Sequence, residues 1–199
     1  DVEFLCKDNK KKQYTMKKFL FIASMLFLTT LASLAQGVKF HLTPDFKFVA
    51  DDGKEFIVVP MNGYSQDSLF NIMETYLDRT YPEPYNDIKK SKNNTQIIVN
   101  VFLKKAYTDK ALGISLFIDI LCTYSFEFKD NKIKINQPTA YPTVNGINNL
   151  TKLEVSCAKF FKDGKINPKK EKAYYDMNAS INNELNKILT NAFSKEEDW

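Results

Sequence analysis

Few residues of this chain are typed and spaced to do chemistry, so each can be weighed singly. His41 is the only histidine, and a triad or general-base site built on imidazole would have to use it. It stands in an extended stretch with no nucleophile at a motif spacing, and reads as a solvated strand residue. Asp51-Asp52 and Asp130 offer the oxygen ligands that calcium takes. Neither stretch continues as Asp-x-Asp-x-Asp-Gly, so turns are expected at both. Asp119 lies in mid-strand between apolar neighbours. On an open face it is solvated; if covered it needs a partner, for which Lys104 or Lys105 is at hand. Asp119 and Glu127 share strand parity, but about eight rises of 3.3 Å separate them, too far for a glycosidase pair. No catalytic residue, metal or cofactor follows from these residues.

Two further sets point to structure or to binding. Cys6 falls in the leader region, which leaves Cys122 and Cys157, both on the apolar side of strand-like runs. They form either one disulfide in an oxidising compartment or two buried thiols packing as small hydrophobes. Tyr81, Tyr85 and Tyr141 stand beside prolines, where rigid loops can present rings to a sugar or a partner, or plug the edges of a core. Phe117 and Leu121 have the parity opposite to the apolar run of their strand, which places them on an open sheet face. Tyr81, Tyr85, Tyr141, Phe117 and Leu121 are the candidate binding residues.

The elements that must position these residues come from periodicity. Glu55–Val59 reads as a strand. Ser65 is an N-cap for a helix to about Thr80, striped by Leu69, Ile72, Met73, Tyr76 and Leu77. Asn86–Asn94 reads as a loop containing the charge run Lys89-Lys90-Ser91-Lys92, and Gln96–Leu103 as a strand. Leu112–Lys129 has the strongest alternation: Leu116, Ile118, Ile120, Cys122, Tyr124, Phe126 and Phe128 share one face. A turn at Asp130-Asn131 then pairs Phe128 with Ile133 and Phe126 with Ile135. Gln137–Asn149 reads as irregular because of Pro138 and Pro142. Leu153–Phe161 reads as a strand, and about Pro168 to Phe193 as a long helix striped by Tyr174, Met177, Ile181, Leu185, Ile188 and Ala192. The order β-α-β-β-β-β-α predicts an α+β fold, an antiparallel sheet with two helices on its apolar face.

The first 35 residues follow other rules. Met16-Lys17-Lys18, the apolar run from Phe19 and the small residues up to Ala35 have the three parts of a signal peptide, with cleavage between Ala35 and Gln36. Residues 1–15 read as an artefactual upstream extension, 16–35 as signal peptide, 36–50 as an extended segment, 51–193 as a single domain and 194–199 as a frayed tail. Six lysines and three acidic residues precede Gln36, so the formal charge of +4 falls to about +1 without them. That gives no electrostatic case for nucleic acid.

Several segments together resemble a known group. They are the Met16–Ala35 leader followed by Gln36, Glu55–Val59 before the Ser65–Thr80 helix, the Tyr124–Ile135 hairpin and the closing helix Ile181–Leu189. In these, over residues 50–193, the chain resembles a secreted domain-of-unknown-function family of Bacteroides-type bacteria with a TBP-like (TATA-binding-protein-like) fold. The resemblance implies a periplasmic or secreted location and brings no activity and no functional residues. The fold name does not imply DNA binding. The expected function is a non-enzymatic envelope module that binds a protein or glycan, with membrane contact only through the signal segment. The alternatives are a carboxylate-based hydrolase and a membrane-anchored protein that keeps its leader helix.

Overall fold

The computed structural model of the chain describes residues 37–81, 88–91, 93–111, 114–144 and 151–194, which belong to one unit beginning at Gly37. The leader, its cut and Tyr85 lie outside the described residues. The elements are β1 (Phe40–Leu42), β2 (Phe48–Ala50), β3 (Phe56–Pro60), α1 (Gln66–Thr80), β4 (Ile88–Lys90), β5 (Gln96–Ala111), β6 (Ile114–Lys129), β7 (Lys132–Asn136) and β8 (Thr139–Thr143). Then come α2 (Leu153–Cys157), which runs into a 3-10 turn at Ala158–Phe160, β9 (Phe161–Lys162), β10 (Lys165–Ile166) and α3 (Glu171–Phe193).

The main sheet is organised by β6. β5 follows it along one edge. On the other edge β7 takes Phe126–Lys129 and β8 takes Asp119–Thr123. β3 extends the sheet beyond β7 and β4 beyond β5, all antiparallel. The alternation of β6 works as its period dictates: Ile118, Ile120, Cys122, Tyr124, Phe126 and Phe128 are buried. The Asp130-Asn131 turn has Asn131 at φ +62 and sets the expected pairs Phe126 with Ile135 and Phe128 with Ile133. Ser65 caps α1, its Oγ accepting from the Ser68 N–H at 3.2 Å.

Both long helices cover the apolar face. Leu69, Phe70, Met73 and Leu77 of α1 are buried there, and so are Met177, Ile181, Leu185 and Ile188 of α3. Phe70 meets Phe128 edge-on at 5.7 Å, and the Tyr124 hydroxyl donates to the Ile181 carbonyl at 2.8 Å. Each such aliphatic or aromatic side chain contributes about 1.5–3 kcal/mol by leaving water.

Several expectations need correction. Gln137–Asn149 contains a strand, β8, despite its prolines. The Pro142 carbonyl points away from β6, accepting from Thr151 N–H at 2.9 Å, so the missing proline N–H falls on the side β6 does not use. Leu153–Phe160 is helical, not a strand: Leu153 and Cys157 are buried at i,i+4 while Val155 is exposed. The polar stretch before Gln96 contains β4, tied to α1 by Lys90, which reaches Glu74 at 2.9 Å and Asp78 at 2.8 Å. α3 starts at Glu171, later than expected. The segment after Gln36 is the hairpin β1–β2, with Val38, Phe40 and Leu42 in the core.

That hairpin is fastened by a row of amides. Asn178, Asn182 and Asn186 stand four residues apart on α3. Their Oδ1 atoms accept from the N–H groups of Leu42, Phe40 and Val38 at 2.8, 2.8 and 2.6 Å. Asn182 and Asn186 also donate to the carbonyls of Phe40 and Val38 at 2.7 and 2.8 Å, and the Tyr174 hydroxyl donates to that of Leu42 at 2.9 Å. The helix therefore acts as a neighbouring strand for an edge that would otherwise be buried without partners.

Candidate functional site

The face of the sheet turned away from the helices is the candidate site, and the odd positions of β6 build its centre. Register sets Phe102, Leu121 and Tyr141 side by side across β5, β6 and β8, with Asn100, Thr123 and Thr139 as the next row. Phe117 lies further along β6 beside Thr108 and is 56% exposed; Tyr141 is 39% exposed. Lys105 Nζ stands 5.2 Å from the Phe117 ring centre, a cation–π contact. Phe56 and Val58 of β3 are exposed at the opposite edge of the face.

Between these apolar patches runs a polar network. Thr123 Oγ1 donates to Asn100 Oδ1 at 2.6 Å. Asn136 Nδ2 donates to Glu127 Oε1 at 2.8 Å, and Lys134 Nζ reaches the same oxygen at 3.1 Å. The Asn136 amide, joined by Lys134, holds the Glu127 carboxyl below its usual range against the opposing push of burial. Lys134 Nζ also stands 5.2 Å from the Phe56 ring centre. The face therefore offers aromatic and aliphatic contact at its ends and fixed donors and acceptors between them.

Of the five sequence-named binding residues, the structure brings Phe117, Leu121 and Tyr141 onto this one face. It places Tyr81 elsewhere. That ring is buried at the end of α1, its N–H donates to Leu77 O at 2.9 Å and its hydroxyl donates to Glu184 of α3. Tyr81 joins two helices and presents no ring to a ligand. Cys122 and Cys157 are both free and buried, so of the two readings the structure has separate thiols. Burial pushes each thiol up to about 12, and Cys157 Sγ lies 3.8 Å from Met177 Sδ. Neither is a nucleophile at neutral pH.

The candidate carboxylates have structural partners. Asp119 Oδ1 accepts from the backbone N–H of Lys105 at 2.7 Å. The register of β5 against β6 shifts between Leu103 and Tyr107, with Lys105 at φ +51, and Asp119 ties down that irregularity. The expected lysine does serve, through its main chain. His41 Nδ1 faces Asp51 Oδ1 at 3.8 Å, and Asp52 pairs with Lys54 at 2.5 Å, all at the surface. Asp51 and Asp52 line a 430 Å³ cleft with Gly37, Lys39, Lys54 and β3 residues, and no serine or cysteine lines it among the described residues. A 680 Å³ cleft between α1 and α3 has Arg79 as its only charged lining residue among the described residues.

Sequence reading missed two polar clusters. One is the amide row on α3, whose signal was the i, i+4, i+8 spacing of Asn178, Asn182 and Asn186. The other is Asp109, 3% exposed, which accepts from Lys159 and from Lys170 at 2.6 Å. Burial pushes its carboxyl up, but the two lysines outweigh that and hold it below the ordinary value. This cluster ties the 3-10 turn and the approach to α3 onto the end of β5. No group of three or more metal-ligating side chains occurs among the described residues.

No family model matches the sequence, and no curated protein matches it significantly. Solved structures do match. One is a TBP-like protein from Parabacteroides distasonis, 14% identical, with a TM-score of 0.50 over 69% of this chain and 90% of the other. Another is a DUF4468 family protein from Bacteroides ovatus, 12% identical, with a TM-score of 0.52 over 77% of this chain and 90% of the other. At such identities the likeness speaks for the fold alone. The chain thus has the α+β, TBP-like fold of domain-of-unknown-function proteins from Bacteroides-type bacteria, the fold that the sequence resemblance implied.

Proposed function

We propose that the chain is a secreted or periplasmic, non-enzymatic module of the cell envelope that binds a protein or glycan partner across the open face of its sheet. The observation that carries this reading is the side-by-side row of half-buried Phe102 and Leu121 with exposed Tyr141, and exposed Phe117 beyond it, beside fixed hydrogen-bonding groups. Exposed aromatic patches rimmed by polar groups mark contact surfaces. The commitment of Asp119 and Glu127 to structural partners supports binding over hydrolysis.

The test compares the native protein with a Phe117→Ala, Leu121→Ala, Tyr141→Ala variant of unchanged circular dichroism. Each is cross-linked in an envelope fraction and applied to a glycan array. A defined adduct or glycan class held by the native chain and lost by the variant is expected. Identical profiles from the two proteins defeat the reading. The location is checked separately by mass spectrometry of the envelope form, for which Gln36 is the expected first residue. An intact precursor confined to the cytosol overturns that half.

A further inference from the structure

Residues 152–172 carry seven lysines against three acidic residues, Glu154, Asp163 and Glu171. The structure divides these lysines into two groups. Lys159 and Lys170 are taken by Asp109, and Lys172 by Asp176 at 2.5 Å. Lys152, Lys162, Lys165 and Lys169 are exposed and make no ion pair among the described residues, and the last three lie in or just after the β9–β10 hairpin.

Lys162 and Lys165 stand directly opposite each other across the β9–β10 hairpin. Its Asp163-Gly164 turn has φ +53 and +71, the tight form that suits a two-residue connection. Like charges placed so oppose pairing, and local folding does not require them there. The neighbouring register pair, Phe161 and Ile166, is half buried. Phe161 packs edge-on against Phe46 at 6.1 Å and Tyr174 at 5.7 Å. Strand alternation then turns the two lysines away from that packing.

The hairpin tip is open: no described residue lies within 4 Å of a Cβ built at Gly164. None of the three described clefts is lined by Lys162, Lys165 or Lys169. A small anion would find no enclosure here, whereas an extended anionic surface could meet all three cations. Tyr175 adds a second character. It is 53% exposed, and its ring stands 5.2 Å from that of Tyr174, which itself packs on Phe161. Tyrosine beside lysine is the composition that settles at a membrane–water interface.

We propose that the β9–β10 hairpin, with Lys169 and Tyr175, is a docking surface for an anionic lipid membrane. It is built against α3, on the covered side of the sheet, so it is independent of the open-face reading and each can fail alone.

The test is co-sedimentation with vesicles of phosphatidylglycerol and phosphatidylcholine, against vesicles of phosphatidylcholine alone. The native chain is expected to bind the anionic vesicles, to release them as salt is raised, and to ignore the neutral ones. A Lys162→Glu, Lys165→Glu, Lys169→Glu variant is expected to bind about a hundred-fold more weakly. A Lys→Gln variant at the same positions, which adds no repulsion, is expected to fall in between, and it carries the test should the first fail to fold. Native chain that ignores anionic vesicles, or triple variants that bind like it, overturns the proposal. Displacement by inorganic phosphate, or equal affinity for duplex DNA at the same salt, overturns it as well, by showing a site for some other anion.

Discussion

The two faces of β6 are made from alternate residues of one strand, yet they are different materials. On the covered face Cys122, Tyr124, Phe126 and Phe128 lie under α1 and α3, and the one hydroxyl among them donates to a helix carbonyl. On the open face Phe117 and Leu121 lie beside Thr123, Ser125 and Glu127, whose polar atoms bond to one another's neighbours. Cover, not composition, separates them: phenylalanine occurs on both. The same side chain should therefore contribute to stability on one face and to recognition on the other. Phe126→Ala is expected to cost about 3–5 kcal/mol, because it leaves a cavity in packed surroundings. Phe117→Ala is expected to stay within about 0.5 kcal/mol, losing little beyond its contact with Lys105. Urea unfolding of the two variants measures the difference. Equal costs would erase the distinction between a covered face and an open one.

A second way to sharpen the contrast uses the edge held by α3. Asn182 accepts from the Phe40 N–H and donates to its carbonyl, both buried. Asn182→Ala strands two main-chain groups at about 1–3 kcal/mol each. A loss of about 2–3 kcal/mol is expected, with amide exchange at Phe40 accelerating first. The neighbouring Asn183 is exposed, so Asn183→Ala is expected to stay within about 0.5 kcal/mol. If the two asparagines behaved alike, the amide row would not be holding the hairpin.

What could be read in the sequence follows from how local each signal is. The β6–β7 hairpin, the α1 cap and the parity of Phe117 and Leu121 depend on residues near one another in the chain, and all appear in the structure where periodicity puts them. Leu153, Val155 and Cys157 satisfy a strand's period, while Leu153 and Cys157 also satisfy a helix's, and only tertiary packing chooses the helix. β8 is hidden because Pro142 opposes a central strand but not one paired to a neighbouring strand on one side alone, where its missing N–H is not needed. The amide row joins residues more than 130 positions apart, and nothing beside Val38–Leu42 announces its partner. Tyr81 escapes sequence reading because a ring beside a proline looks the same whether it faces solvent or a half-buried glutamate.

The smallest of the three effects concerns the charges on the covered side. Asp109 is buried and held by Lys159 and Lys170, whereas Glu127 on the open face is half-buried and accepts from one lysine and one amide. Because the Asp109 carboxyl titrates below an unfolded aspartate, it stabilises the fold above pH of about 4. That contribution is lost as pH falls through its lower native value. Asp109→Asn, which carries no charge at any pH, is expected to cost about 1–2 kcal/mol at neutral pH, since the lysines it leaves behind are partly exposed and can turn to water. The gap between native chain and variant in thermal unfolding should narrow as pH drops from about 4 and close once the native carboxyl is protonated. A gap of constant size across that range would mean that Asp109 holds the 3-10 turn and the start of α3 by shape and hydrogen bonding, with its charge playing no part.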